Sequence, residues 1–247
     1  MPAHGVGTGG KGMSHCTGSL DRKARSVSSF EELFAQHVAT GMARQLALAD
    51  LLGDRGWQLD LNAGTVTFGN DLRYPVQLLG TESHADRTWL WAWANSASNL
   101  DPSLLQLAGW LREHGRGEGV RELYEPSLRL DRIDGHRLSL VASGLTGRPY
   151  YRGTYNGGAI FFHLENLPSR VQGAVTPERA FTVLGQVIQA FAVDHRTVVV
   201  NFLRQQGWRV DDGKAGVVGR HPDGSHMRVS FDQLGRISEL TGGVQPR

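Results

Sequence analysis

A single cysteine, Cys16, in 247 residues rules out an internal disulfide and leads us to expect a reducing cytoplasm. Long apolar runs are missing too. No stretch approaches the roughly 20 apolar residues a membrane helix needs, and the N-terminus lacks an apolar core of the signal-peptide kind, so no membrane association is expected. Lysine is scarce: only Lys11, Lys23 and Lys214 among 26 basic residues. There is no nucleophile elbow, phosphate loop, HExxH or paired-cysteine motif. Gly7, Thr8, Gly9 and Gly10 do not stand between a strand and a helix, so they form no dinucleotide fingerprint. These absences weigh against an enzyme and lead us to expect neither cofactor nor metal.

A strong charge of one sign is also absent. The total is +2, and residues 1–29 carry Lys11, Arg22, Lys23 and Arg25 against Asp21, a net +3, which leaves −1 for the rest. No basic stripe shows along the sequence, so no nucleic-acid partner is expected. Arginine-rich, glycine- and alanine-rich usage fits a GC-rich genome better than phosphate recognition.

What is present is a tryptophan block. Trp89, Trp91 and Trp93 are half of the six tryptophans. At period two they share one face of a strand over Thr88–Ala94, with Leu90, Ala92 and Ala94 on the other. Bulk on one side and small residues on the other predict a strand between two packed layers.

Residues 1–28 lack periodicity and read as a disordered tail in which Met13 is an alternative start. His4, His15 and Cys16 lie there without anything to fix ligand geometry. Order begins at Ser29, which with Glu32 forms a capping box. Phe30, Leu33, Phe34, Val38, Met42, Leu46, Ala49 and Leu52 then repeat at helical spacing up to Gly53, predicting a helix over 30–52. Strands follow at Trp57–Leu61, Thr65–Phe68 and Tyr74–Leu79, then the tryptophan strand. Asp101 and Pro102 start a helix running to about Glu113. His136–Ser143 reads as a strand. Tyr150–Tyr155 and Ala159–Leu164 flank the hairpin turn Asn156-Gly157-Gly158. Helices are expected from Thr176-Pro177 and from Asp194 to Gly207, then strands at Trp208–Asp211, Ala215–Arg220, His226–Asp232 and Arg236–Leu240. The segment Leu51–Asp60 echoes Phe202–Asp211 around a Gly-Trp pair. Duplication explains this, and so does convergence on an efficient helix-to-strand junction.

The expected class is therefore α+β, with antiparallel sheets packed by amphipathic helices and two helix-plus-meander modules: a first domain at 29–170 and a module at 176–241.

Several polar residues are candidates for a site. Glu82, His84 and Asp86 alternate before the tryptophans and suit metal or acid–base chemistry, but Ser83-His-Ala-Asp86 also reads as a solvated turn. Arg152 among Tyr150, Tyr151 and Tyr155 suits a bidentate anion contact, or ordinary cross-strand stacking. Asn95, Ser96, Ser98 and Asn99 either end the strand or form a polar pocket rim. If a small-molecule site exists, Glu82, Asn95 and Arg152 are expected to form it with Tyr151 as a wall; placement on different faces would end the shared-site idea.

Residues 30–165 resemble a widespread bacterial family of unknown function. The resemblance is carried by Arg44-Gln-Leu46, Gly56-Trp57, Leu78-Leu-Gly-Thr-Glu-Ser83, Thr88-Trp-Leu-Trp-Ala-Trp-Ala-Asn95, Val141-Ala-Ser-Gly144 and Tyr150-Tyr-Arg-Gly153. It implies a fold-level kinship and assigns no catalytic residue. The last 65 residues resemble the helix-plus-sheet modules of type III secretion chaperones and YbjN-type proteins, which implies a protein-binding or regulatory role. The functional expectation is a non-enzymatic binding or accessory protein with a possible protein partner. The alternative is an enzyme or small-molecule binder using Glu82, Asn95 and Arg152.

Overall fold

The structure, a computed structural model, describes Met1 and residues 29–245. Apart from Met1, the expected tail, with His4, His15 and Cys16, lies outside the described residues.

α1 (Phe30–Leu52) begins as the capping box requires. Ser29 Oγ accepts from the Glu32 amide at 3.1 Å, and the Glu32 carboxylate accepts from the Ser29 amide at 2.9 Å. Gly53 closes the helix at φ +55°, its amide donating to the Ala49 carbonyl. Buried residues occur around much of its circumference, among them Phe34, Val38, Thr40, Gly41, Ala43, Arg44 and Leu48. α1 is thus a central rod and not a surface helix.

Against it lies a seven-stranded antiparallel sheet. Its strands are β1 (Trp57–Asp60), β2 (Thr65–Phe68), β3 (Leu72–Ser83), β4 (Thr88–Trp91), β5 (Ser127–Arg129), β6 (Tyr150–Tyr155) and β7 (Gly158–Leu164). The 12-residue β3 is the trunk. Its first part pairs with β2, and its second lies between β4 and β7. Both faces are buried. Leu79, Trp89, Trp91, Tyr150 and Phe161 pack on one side; Val76, Leu78, Ala92 and Phe162 pack on the other.

Two sequence expectations fail here. His136–Ser143 is not a strand but lies within helix α4 (Gly135–Thr146), capped by Asp134, whose carboxylate accepts from the Arg137 amide at 2.8 Å. Leu138 through Ser143 are all buried, so no polar face marks the helical period and a short apolar run reads equally as a strand. The tryptophan strand also stops early, at Trp91. The Trp91 amide donates to the Pro126 carbonyl, and Pro126 has no N–H with which to continue the ladder. Ala92–Ala94 then form a single 3₁₀ turn, which takes Trp93 off the face of Trp89 and Trp91. Trp93 is half-buried beneath the Arg112 guanidinium, 5.0 Å from its ring centre.

α1 and α4 cross closely. A Cβ on Gly41 would stand 2.4 Å from the Leu140 carbonyl oxygen, and one on Gly144 2.3 Å from that of His37. Glycine at these positions lets the two backbones meet.

The remaining helices are α2 (Gln106–Glu118), α3 (Arg121–Tyr124), α5 (Ser169–Gln172), α6 (Pro177–Ala190) and α7 (His195–Gln205). Thr176 and Asp194 cap α6 and α7 as expected. The chain then makes a four-stranded antiparallel meander of β8 (Arg209–Gly213), β9 (Gly216–Arg220), β10 (His226–Phe231) and β11 (Ile237–Gly243), in the order β11-β10-β9-β8. One hydrophobic core runs from Phe34 and Val38 of α1 through Val183, Leu184, Val199 and Phe202 to Met227 and Val229. Polar bonds join the same parts: Gln205 donates to the Gln36 carbonyl at 3.1 Å and Thr40 bonds Gln205. Among the described residues, no helix is long and apolar enough to cross a membrane.

Candidate functional site

β3 turns alternate side chains to opposite faces, and this separates the expected site residues. Thr81 stands in register with Leu90 on β4 and Ile160 on β7. One residue on, Glu82 stands in register with Trp89 and Ala159, a row on the opposite face.

On the Glu82 face the carboxylate is buried at the start of α4. One oxygen accepts from the Gly135 amide at 2.9 Å, and the other lies 3.4 Å from the Arg152 guanidinium. Arg152 also sits over the Phe161 ring, 5.7 Å from its centre. Nearby, the Tyr150 hydroxyl bonds His136 Nδ1, and burial raises the Tyr150 pKa far above its usual value. Glu82 therefore adds a second carboxylate to the α4 N-terminus beside the Asp134 cap, where the helix dipole favours negative charge. The arrangement ties α4 to the sheet.

On the Thr81 face lies a cavity of about 260 Å³. Its apolar walls are Leu61, Leu78, Leu90, Ala92, Leu100 and Ile160. Four polar side chains reach it: Thr81, Asn95, Ser98 and Tyr155. None of these four makes a side-chain hydrogen bond within the described residues. Among the described residues, no carboxylate, imidazole, amine, guanidinium or thiol lines it. The cavity forms on the small-residue side of the tryptophan strand, where Ala92 leaves space that a larger side chain would fill.

Of the four expected residues, the structure thus brings Glu82 and Arg152 together and puts Asn95 in a different place. Tyr151 is on the Asn95 side of the sheet but outside the cavity, packed on Trp57, Phe68 and Phe162 at ring separations of 5.8, 4.9 and 5.7 Å. The four do not share one pocket. His84 and Asp86 lie in an exposed turn, where Ser83 Oγ donates to the Asp86 carboxylate at 2.8 Å. Among the described residues, no three His, Cys, Asp or Glu side chains group as metal ligands. Sequence reasoning missed Thr81, Leu61 and Leu100 as cavity residues. Thr81 was legible in principle, since it shares the β-face of Leu90 and Ile160.

The family of unknown function designated DUF6882 matches residues 31–167. The chain belongs to this family. The DUF6882 region holds α1, all seven strands of the larger sheet and the whole cavity lining, in keeping with the resemblance over 30–165. No curated protein and no solved structure matches the chain.

Proposed function

We propose that this protein is a non-enzymatic binding protein in which the cavity beside Asn95 holds a compact, neutral, mostly apolar molecule bearing a hydroxyl or carbonyl group. The observation that carries this reading is the lining itself: apolar walls with four polar side chains that have no side-chain hydrogen bond among the described residues. Such a combination binds by shape and fixes orientation with a few hydrogen bonds. Asn95 offers both a donor and an acceptor, and Thr81, Ser98 and Tyr155 offer hydroxyls. A neutral occupant follows from the uncharged lining, since a buried charge without a partner is costly. The same lining lacks a group suited to general acid–base work at neutral pH, which supports binding over catalysis. The single cysteine supports a reducing cytoplasm as the place of action. An accessory or regulatory role follows if occupancy alters the exposed rim at Leu61 and Tyr155.

Cyclohexanol is a suitable probe. Its titration, followed by methyl NMR, should shift Leu61, Leu90 and Ile160 together, and Ser98→Trp at the exposed rim should abolish the shifts in a protein that is otherwise folded. Shifts scattered over the molecule, or unchanged in Ser98→Trp, refute the site, as does the absence of any shift at millimolar probe.

A further inference from the structure

The C-terminal meander hides a charge pattern that the linear sequence does not display. Met227 and Val229 of β10 and Val217 of β9 face the core beneath α6 and α7. The alternate residues face outward. There, Arg209 on β8 is the register partner of Arg220 on β9, and Arg220 is the register partner of His226 on β10. Arg228, two residues along β10, shares that face. All four side chains are exposed. None has an ion pair or side-chain hydrogen bond among the described residues.

Like charges directly opposite on neighbouring strands are destabilising. Elsewhere in the module, arginines do have carboxylate partners. Arg196 pairs with Asp212 and Arg236 with Asp232. Among the described residues the row Arg209–Arg220–His226 lacks them, and a cavity of about 370 Å³ lined by Gly207, Arg209, Arg220, His221 and Pro222 opens at its β8–β9 end.

We propose that this face docks an acidic segment of a partner polypeptide. Charge complementarity selects the sign. Arg209, Arg220 and Arg228 span three strands, about 10 Å, so the strip is longer than a single anionic group. Apart from His226, the outward positions carry no aromatic ring on which bases could stack, unlike a surface for single-stranded nucleic acid. Asp211 and Glu239 stand on the same face and bound the strip, which disfavours a continuous phosphodiester and suits a short run of Asp and Glu side chains. Arginine suits carboxylates because its planar fork binds both oxygens.

The test uses the full chain and a fluorescein-labelled hexaglutamate, read by anisotropy at low and moderate salt. Binding should weaken as salt rises. The double reversal Arg209→Glu/Arg220→Glu should weaken it at least tenfold, and Arg209→Gln/Arg220→Gln by a smaller factor. A charge-matched control, Arg73→Glu/Arg170→Glu, should leave it within twofold. Arg220→Glu alone should not lower the melting temperature, because it replaces repulsion in register with attraction. Equal loss in the control, no binding by the parent, or tighter binding of an oligothymidylate of equal charge each overturns the proposal. Cyclohexanol shifts at the Asn95 cavity should be unaltered in the double variants, so the two readings stand or fall separately.

Discussion

Acidification between pH 7 and 4.5 should destabilise this fold through two histidines, one fully buried and one half-buried. His163 on β7 has no exposure; its Nδ1 pairs with the Pro149 carbonyl at 3.1 Å, and its Nε2 has no partner among the described residues. Burial lowers its pKa to about 4, against a weaker upward pull from the Pro149 hydrogen bond. His37 on α1 is likewise lowered to about 4, first by burial, with the Gly144 hydrogen bond opposing and His114 adding repulsion. Well above pH 6.5 both rings are neutral in folded and unfolded chains, and stability is unaffected. Between 6.5 and about 4 the unfolded chain takes up the protons and the folded chain does not. Stability therefore falls by about 1.4 kcal/mol per pH unit for each ring. Two rings over two pH units give roughly 5 kcal/mol, comparable with the whole stability of many domains. The acidic groups with lowered pKa values, among them Asp131, Asp223 and Asp232, respond only below about pH 4, so the window belongs to the histidines. Urea unfolding followed by tryptophan fluorescence in half-unit pH steps measures the slope. His163→Gln keeps a donor for Pro149 and removes the titration, so it should halve the slope whatever it does to stability at pH 7. An unchanged slope in that variant refutes the reasoning.

Three further outcomes are expected. Trp91→Ala should cost about 3–5 kcal/mol, since the ring is fully buried, meets Trp89 edge-on at 5.3 Å and donates to the Glu122 carbonyl at 3.0 Å; a loss under about 1 kcal/mol in denaturant titration contradicts the packing. Gly144→Ala should destabilise by about 1–3 kcal/mol despite the better helix propensity of alanine, because the new methyl meets the α1 backbone; a raised melting temperature would show that the crossing is loose. Glu82→Leu should lower stability by about 1–3 kcal/mol by orphaning the Gly135 amide, and Glu82→Gln should lower it much less; equal losses in calorimetry would contradict the tie to α4.

What could be read from the chain was whatever is decided locally. The caps at Ser29, Thr176 and Asp194 and the Gly157 turn act within four residues, and they place α1, α6, α7 and the β6–β7 hairpin. α4 was illegible because burial on all sides removes the contrast that periodicity measures. Trp93 left its strand because of Pro126, more than thirty positions away in sequence. The site was half legible. Glu82 and Arg152 do meet, but Asn95 belongs with Thr81, and in a strand one position exchanges one face for the other. The outward row was invisible because Arg209, Arg220 and His226 become neighbours only once three strands are in register.

The reach of α1 has a consequence for synthesis. Thr40 bonds Gln205, a partner 165 residues later, and Phe34 meets the Phe191 ring. At about 5–20 residues per second, this side of α1 waits roughly ten to thirty seconds on the ribosome for its cover. During that time the sheet and α4 can shield only the opposite side. Release of the C-terminal helices therefore sets the moment at which the first helix is protected from aggregation, and slowing translation just before α6 should raise the burden on chaperones.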